Sequence, residues 1–139
     1  MNIRIPLLAL AAALLAAGAA EAEVVVVVAA NSPVTAVTKD QAAQLFLNKS
    51  VKLPGGGAAT PIDQASGPAR GEFYAKVTGK DEAQLKAYWA QLTFTGKAQP
   101  PRKVSGDAAV KAALGENPAA IGYISDGAVD GSVKVVFKP

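Results

Sequence analysis

The segment Pro61–Gly79, PIDQASGPARGEFYAKVTG, carries the residues of this chain that could do chemistry. Its pattern predicts a strand, a glycine turn and a helix, with Arg70 in the first turn of the helix. Free backbone N–H groups at the start of a helix, together with the positive end of its dipole, bind anions. Ser66, Gly67 and Arg70 are therefore candidate ligands of an anion, and Asp63 is a candidate hydrogen-bond acceptor beside them.

The same residues support a purely structural interpretation. Asp63 and Arg70 can pair with each other, and arginine–carboxylate pairing would occupy the donors that an anion needs. Ser66 would then cap the helix. Pro68 suits the first helical position but has no N–H, so it removes one backbone donor from the site. The residue pattern leaves both interpretations open.

Composition excludes several classes of function. The 139 residues include neither cysteine nor histidine, which excludes disulfides and lipid attachment to cysteine. The usual ligands of zinc, copper and haem are missing, and Ser–His and Cys–His nucleophile pairs cannot form. No close carboxylate pair lies in a glycine-rich setting, so we predict a non-enzyme without cofactors.

The net charge is +3 with lysines scattered singly, so no basic face for nucleic acid is expected.

The N-terminal segment has the features of a secretory signal peptide, which we assign to residues 1–22. Arg4 supplies a positive charge, residues 5–17 form a short apolar run, and an Ala-Glu-Ala triplet ends at Ala22. These features predict cleavage after about Ala22 and export to the periplasm. The run is short for a membrane span, so no membrane anchor is expected. Residues 23–139 would form one domain.

Periodicity predicts the element order β-α-β-α-α-α-β-β. The first strand, in residues 23–30, is a β-branched run typical of a strand buried on both faces, as at the centre of a parallel sheet. Residues 94–104 contain two prolines and are predicted to be a loop. The remaining strands are predicted in residues 59–65, 119–125 and 132–138, and the helices in residues 38–49, 67–79, 81–92 and 105–115.

Residues typical of helix caps lie at several of the predicted helix ends. Thr38 and Gln41 have the spacing of a capping box, and Gly79 is predicted to end the second helix. Ser105 is predicted to cap the last helix and Gly115 to close it. The resulting fold class is an α/β single domain with a mixed sheet flanked by helices.

The only tryptophan, Trp89, lies in the most regular apolar stripe of the chain. Leu85, Tyr88, Trp89 and Leu92 follow one another at the spacing of one helix face. We therefore predict that Trp89 packs in the core and does not stack on a ligand.

Four segments in this order resemble a known family: VTKDQAAQLFLNKS, the stretch from PIDQ to AKV, AYWAQLTFTGKAQPP and NPAAIGYIS. They resemble the periplasmic phosphate-binding proteins that feed ABC transporters, and more closely the short phosphate ABC transporter substrate-binding-like proteins. The resemblance covers essentially the whole mature chain. It implies one lobe of a type II periplasmic binding protein, whereas full-length members enclose phosphate between two lobes.

In that family a Ser-Gly-Thr turn and an arginine surround the phosphate. The turn falls here on Gly67, Pro68 and Ala69, or one residue earlier on Ser66, Gly67 and Pro68, so the threonine hydroxyl is missing in either alignment. Arg70 is retained. The resemblance thus implies a degenerate site for phosphate or another small anion, with a transporter or a second protein chain as partner. The alternative is a periplasmic interaction module that has lost ligand binding.

Overall fold

The computed structural model describes residues 23–54 and 57–139, so the predicted signal peptide lies outside the described residues. The described part forms an α/β domain with one five-stranded sheet. The strands are β1 (Val24–Ala29), β2 (Thr60–Gln64), β3 (Arg102–Val104), β4 (Ala120–Ser125) and β5 (Val133–Phe137). The helices are α1 (Lys39–Phe46), α2 (Pro68–Thr78), α3 (Glu82–Phe94) and α4 (Gly106–Glu116), and a single 3-10 turn follows β4 at Asp126–Ala128.

The sheet is mixed, as predicted, with the strand order β3-β2-β4-β1-β5. β2 pairs in parallel with β3 and β4, whereas β1 is antiparallel to both of its neighbours, β4 and β5. All six residues of β1 are buried, which confirms the predicted burial on both faces. The expected parallel surroundings of β1 are wrong. A continuous run of apolar residues indicates that both faces of the strand are buried, but it does not indicate whether the neighbouring strands are parallel or antiparallel.

Alternate residues of β1 enter two separate hydrophobic clusters, one on each face of the sheet. Val24, Val26 and Val28 pack with the aromatic side chains of α1 and α2. Val25 and Val27 pack in the second cluster, which includes side chains of α4. The sheet is therefore covered by helices on both sides, and neither face of β1 is exposed to solvent.

Helix α4 packs closely on the sheet at Gly122. A Cβ atom at this position would lie 2.6 Å from Val110 Cγ1, well inside van der Waals contact. Glycine in the AIGYIS segment thus allows the close approach of α4 to β4.

The predicted helix ends are only partly correct. The Thr38–Gln41 capping box is present, and Gly79 ends α2 in the left-handed conformation at φ 70°. Ser105 occupies the N-cap position of α4, but its side chain makes no capping hydrogen bond. Gly115 does not close α4, which continues to Glu116.

Strand β3 was missed by the sequence analysis, which placed a loop over residues 94–104. The strand has three residues, none of them fully buried, and it pairs in parallel with Ile62–Gln64. A short edge strand next to two prolines has neither the length nor the alternation that would predict it. Its position is set by the distant strand that it pairs with.

Candidate functional site

Asp63 is the centre of the candidate site. It lies at the carboxyl end of β2 and is only 1% exposed. Its Oδ2 accepts hydrogen bonds from Arg70 Nη1 at 2.6 Å and from the Tyr74 hydroxyl at 2.8 Å. Its Oδ1 accepts from the Gln64 backbone N–H at 2.8 Å and from the Tyr123 hydroxyl. A buried carboxylate is stable only with such a complete set of donors.

Arg70, in the first turn of α2, is 6% exposed and is held by two carboxylates. Besides Asp63, its Nε donates to Glu82 Oε1 at 2.5 Å, and its Nη1 also donates to the Gln64 carbonyl at 3.1 Å. Burial acts to lower the pKa of Arg70, but the Glu82 hydrogen bond and the Asp63 charge raise it above its ordinary value. The guanidinium is therefore a permanent cation that is bonded to one buried carboxylate, Asp63, and to one exposed carboxylate, Glu82.

The two tyrosines complete the shell of Asp63. Burial, followed by the negative charge of Asp63, raises the pKa of both Tyr74 and Tyr123 well above the ordinary value. Both hydroxyls therefore stay protonated and act as donors to the carboxylate. The Tyr123 hydroxyl also accepts from the Gln64 backbone N–H at 3.1 Å, so it fixes the end of β2 as well.

Ser66 and Gly67 lie elsewhere, in a cleft of about 230 Å³ where the amino ends of α2 and α4 meet. We call it the α2–α4 cleft. It is lined by Gln64, Ser66, Gly67, Pro68, Ala69, Gly106, Asp107 and Ser125. Ser66 is exposed, and the N-cap of α2 is Gly67 without any side-chain capping bond. The predicted capping role of Ser66 is therefore wrong.

The α2–α4 cleft combines features that attract and repel an anion. Two helix N-termini favour negative charge there. Pro68 contributes no N–H, and the Asp107 carboxylate lies on the same wall. Gln64 Nε2 donates to Asp107 Oδ1 at 2.9 Å and to the Tyr123 carbonyl at 2.9 Å, so the side chain of Gln64 is held in place.

The four sequence-predicted site residues thus form two groups. Asp63 and Arg70 are paired inside the protein, and Ser66 and Gly67 line the α2–α4 cleft, which Arg70 does not line. Anion binding by these residues stays a prediction. Glu82, Tyr74 and Tyr123 are partners of the pair that the sequence did not predict, although an aspartate within a strand already requires buried donors.

Within residues 23–54 and 57–139, no group of three or more metal-binding side chains is found. In the same part of the chain, no helix is long and apolar enough to cross a membrane.

The fold defines the class of protein to which this domain is similar. No protein-family model matches the sequence, and no curated protein matches it either. Solved structures do match: their fold is that of the substrate-binding proteins of phosphate ABC transporters, which are binding proteins and not enzymes.

Three of these structures illustrate the similarity. A phosphate ABC transporter substrate-binding protein from Clostridium perfringens, solved with bound phosphate, matches with a TM-score of 0.62 and 24% identity over 82% of this chain and 44% of its own. An ABC-type phosphate transport receptor from Vibrio cholerae matches with a TM-score of 0.62 and 22% identity, over 82% of this chain and 45% of the receptor. PstS from Borrelia burgdorferi matches with a TM-score of 0.51 and 16% identity, over 82% of this chain and 46% of PstS. This chain therefore spans less than half the length of each, as a single lobe would.

Proposed function

We propose that this chain is a secreted, periplasmic solute-binding-like protein of the phosphate-transport class that binds phosphate or another small anion weakly. The observation that carries the proposal is the α2–α4 cleft, where two helix N-termini meet beside Ser66, Gly67 and Ser125. The shared fold supports the class of protein, and the two converging helix dipoles support the kind of ligand.

The site is degenerate because the charged residue that lines it is acidic and the nearby arginine is already paired. Asp107 places a carboxylate on the wall of the cleft. Arg70, the natural cation for the site, is paired with Asp63 and Glu82. One lobe also leaves a bound anion in contact with water, where electrostatic contacts are strongly screened. Tight binding would require a second chain or another partner to cover the cleft.

The variant Asp107→Asn tests the proposal. It removes the charge that faces the cleft but keeps an oxygen for the Gln64 side chain, so we expect the affinity for phosphate to rise roughly fivefold, equivalent to about 1 kcal/mol. Thermal melts across millimolar phosphate and sulfate, with chloride at matched ionic strength, would measure it. A ligand at a hundred times its Kd stabilises the fold by about 2.7 kcal/mol, which raises the Tm by several degrees.

Asp40→Asn is the matched control, because Asp40 also lies in the first turn of a helix, α1, and does not line the cleft. It should leave the phosphate-dependent shift unchanged. Equal shifts in the two variants would show that the effect is only one of net charge. Tight binding by the parent at micromolar phosphate would show that the site is intact rather than degenerate.

The alternative function is a periplasmic interaction module without a transport ligand. The pairing of Arg70 favours it, because this arginine already has Asp63 as an internal anion. If neither phosphate nor sulfate stabilises the parent or Asp107→Asn at millimolar concentration, the interaction module is the better description.

Export is a separate expectation with its own measurement. We expect the protein isolated from its native host to begin at or near Glu23, because small residues precede that position at the end of the predicted signal peptide. Intact-mass spectrometry of the mature protein would establish its N-terminus. A chain that still begins at Met1 would contradict export by this route.

A further inference from the structure

A second and larger cleft, of about 590 Å³, lies beside α3 and is independent of the α2–α4 cleft. Leu85, Lys86 and Trp89 line it from α3, and Pro100 and Lys103 line it from the segment that leads through β3. We call it the α3 cleft. Its volume falls in the range of small-molecule sites in proteins. None of its lining residues belongs to the α2–α4 cleft.

The apolar wall of the α3 cleft contains the single tryptophan of the chain. Trp89 is 7% exposed, yet it belongs to neither of the two hydrophobic clusters. Its aromatic neighbour is Tyr88, in an edge-on arrangement with ring centroids 5.1 Å apart. Within the described part of the chain, its indole N–H has no hydrogen-bond acceptor and is not sealed from solvent. An edge of the indole ring and a spare donor are therefore available to a ligand in this cleft.

The rim of the α3 cleft is cationic. Lys86 and Lys103 are exposed, and neither forms an ion pair with any described residue. Arg70 and Glu82 also line the cleft, but they are bonded to each other, and Arg70 is bonded to Asp63 as well. Arg70 is thus paired with Glu82 and with Asp63, which lies behind the cleft, and the two lysines are the charged lining residues without an ion pair among the described residues.

We propose that the α3 cleft binds a small organic anion with an aromatic body. The ring would pack against the exposed edge of Trp89 and against Ala90 and Pro100, which line the cleft and are exposed, since aromatic side chains bury a large area and prefer aromatic neighbours. The carboxylate or phosphate group would lie at the lysine rim, because an ammonium on a flexible stem contacts either group as a point charge. Inorganic phosphate has no surface to place against the indole, so this ligand class differs from that of the α2–α4 cleft.

The experiment uses the fluorescence of Trp89, which lines this cleft and is the single tryptophan of the chain. Phenyl phosphate is the probe, with benzyl alcohol as the uncharged aromatic and inorganic phosphate as the anion without a ring. We expect a saturable change in emission with phenyl phosphate, with a Kd at least about tenfold lower than that of either comparison compound. A linear response, or equal affinities for phenyl phosphate and benzyl alcohol, would overturn the proposal.

Lysine variants locate the anionic group. Lys86→Gln and Lys103→Gln should each weaken the binding of phenyl phosphate roughly threefold to fivefold, the size expected for one exposed charge pair. Lys49→Gln removes an equally exposed lysine that does not line the cleft, and it should have no effect. If Lys49→Gln weakens binding as much as the other two variants, attraction is unspecific and the proposal is wrong.

The variant Asp107→Asn separates this proposal from the proposed function. It should leave the response of Trp89 to phenyl phosphate unchanged, because Asp107 lines only the other cleft. If it strengthens that response as much as it strengthens the binding of inorganic phosphate, phenyl phosphate binds through its phosphate at the α2–α4 cleft, and the α3 cleft has no ligand of this class.

Discussion

Replacement of Asp63 by alanine should lower the free energy of unfolding by roughly 3–5 kcal/mol, the usual effect of breaking a buried ion pair. The substitution leaves the guanidinium of Arg70 inside the protein with Glu82 as its only carboxylate. It also removes the acceptor of the Tyr74 and Tyr123 hydroxyls. Urea unfolding followed by circular dichroism measures the loss, and the midpoint should fall while the slope stays constant.

Two controls define what this loss means. Glu82→Ala removes the other carboxylate of Arg70, but the Glu82 side chain is 65% exposed, so its loss should cost less than about 1 kcal/mol. The double variant Asp63→Leu with Arg70→Met removes the whole pair and should be less destabilising than Asp63→Ala. Should Asp63→Ala and Glu82→Ala cost the same, the buried pair would not be the dominant interaction.

Phe73→Ala should destabilise the fold by roughly 3–5 kcal/mol, the range for deleting a fully buried aromatic ring. The Phe73 side chain is completely buried. Its ring is stacked on Tyr123 at a centroid distance of 4.2 Å and meets Phe46 edge-on at 4.7 Å. The cavity would therefore open between α1, α2 and β4, beside the rings of Phe46 and Tyr123.

Phe94→Ala is the matched control, because it deletes the same side chain at a position that is 93% exposed. It should change stability by no more than about 0.5 kcal/mol. Trp89→Ala should fall between the two, since Trp89 is buried but lies outside both clusters. Trp89 is buried, as predicted, and a loss in Trp89→Ala as large as that in Phe73→Ala would contradict this ranking.

Most of the fold is predictable from the sequence because its strongest patterns are local. The valine run of β1, the capping box of α1 and the glycine after α2 each follow from the properties of a few adjacent residues. The direction of β1 and the existence of β3 are not predictable in this way, because each depends on a partner strand far away in the chain.

The candidate site shows the same division. The pairing of Asp63 with Arg70 is predictable, since seven residues and one turn separate two opposite charges. The contribution of Tyr123 is not, because it comes from a strand 60 residues further along the chain. The separation of Ser66 and Gly67 from Arg70 also requires the structure, since it depends on the direction in which the Arg70 side chain leaves α2.

The position of β1 in the sheet has a consequence for how the protein folds. Both of its partner strands come from residues 120–137, so residues 30–119 must be made before the first strand can pair at all. Until then six consecutive apolar residues without charge or proline stay unpaired, which is the composition of aggregation-prone segments. Non-local pairing of this kind also makes folding slow. Completion of the last strand is therefore the event that commits the chain to its native state, and a chain that lacks residues 120–137 would leave β1 without either partner.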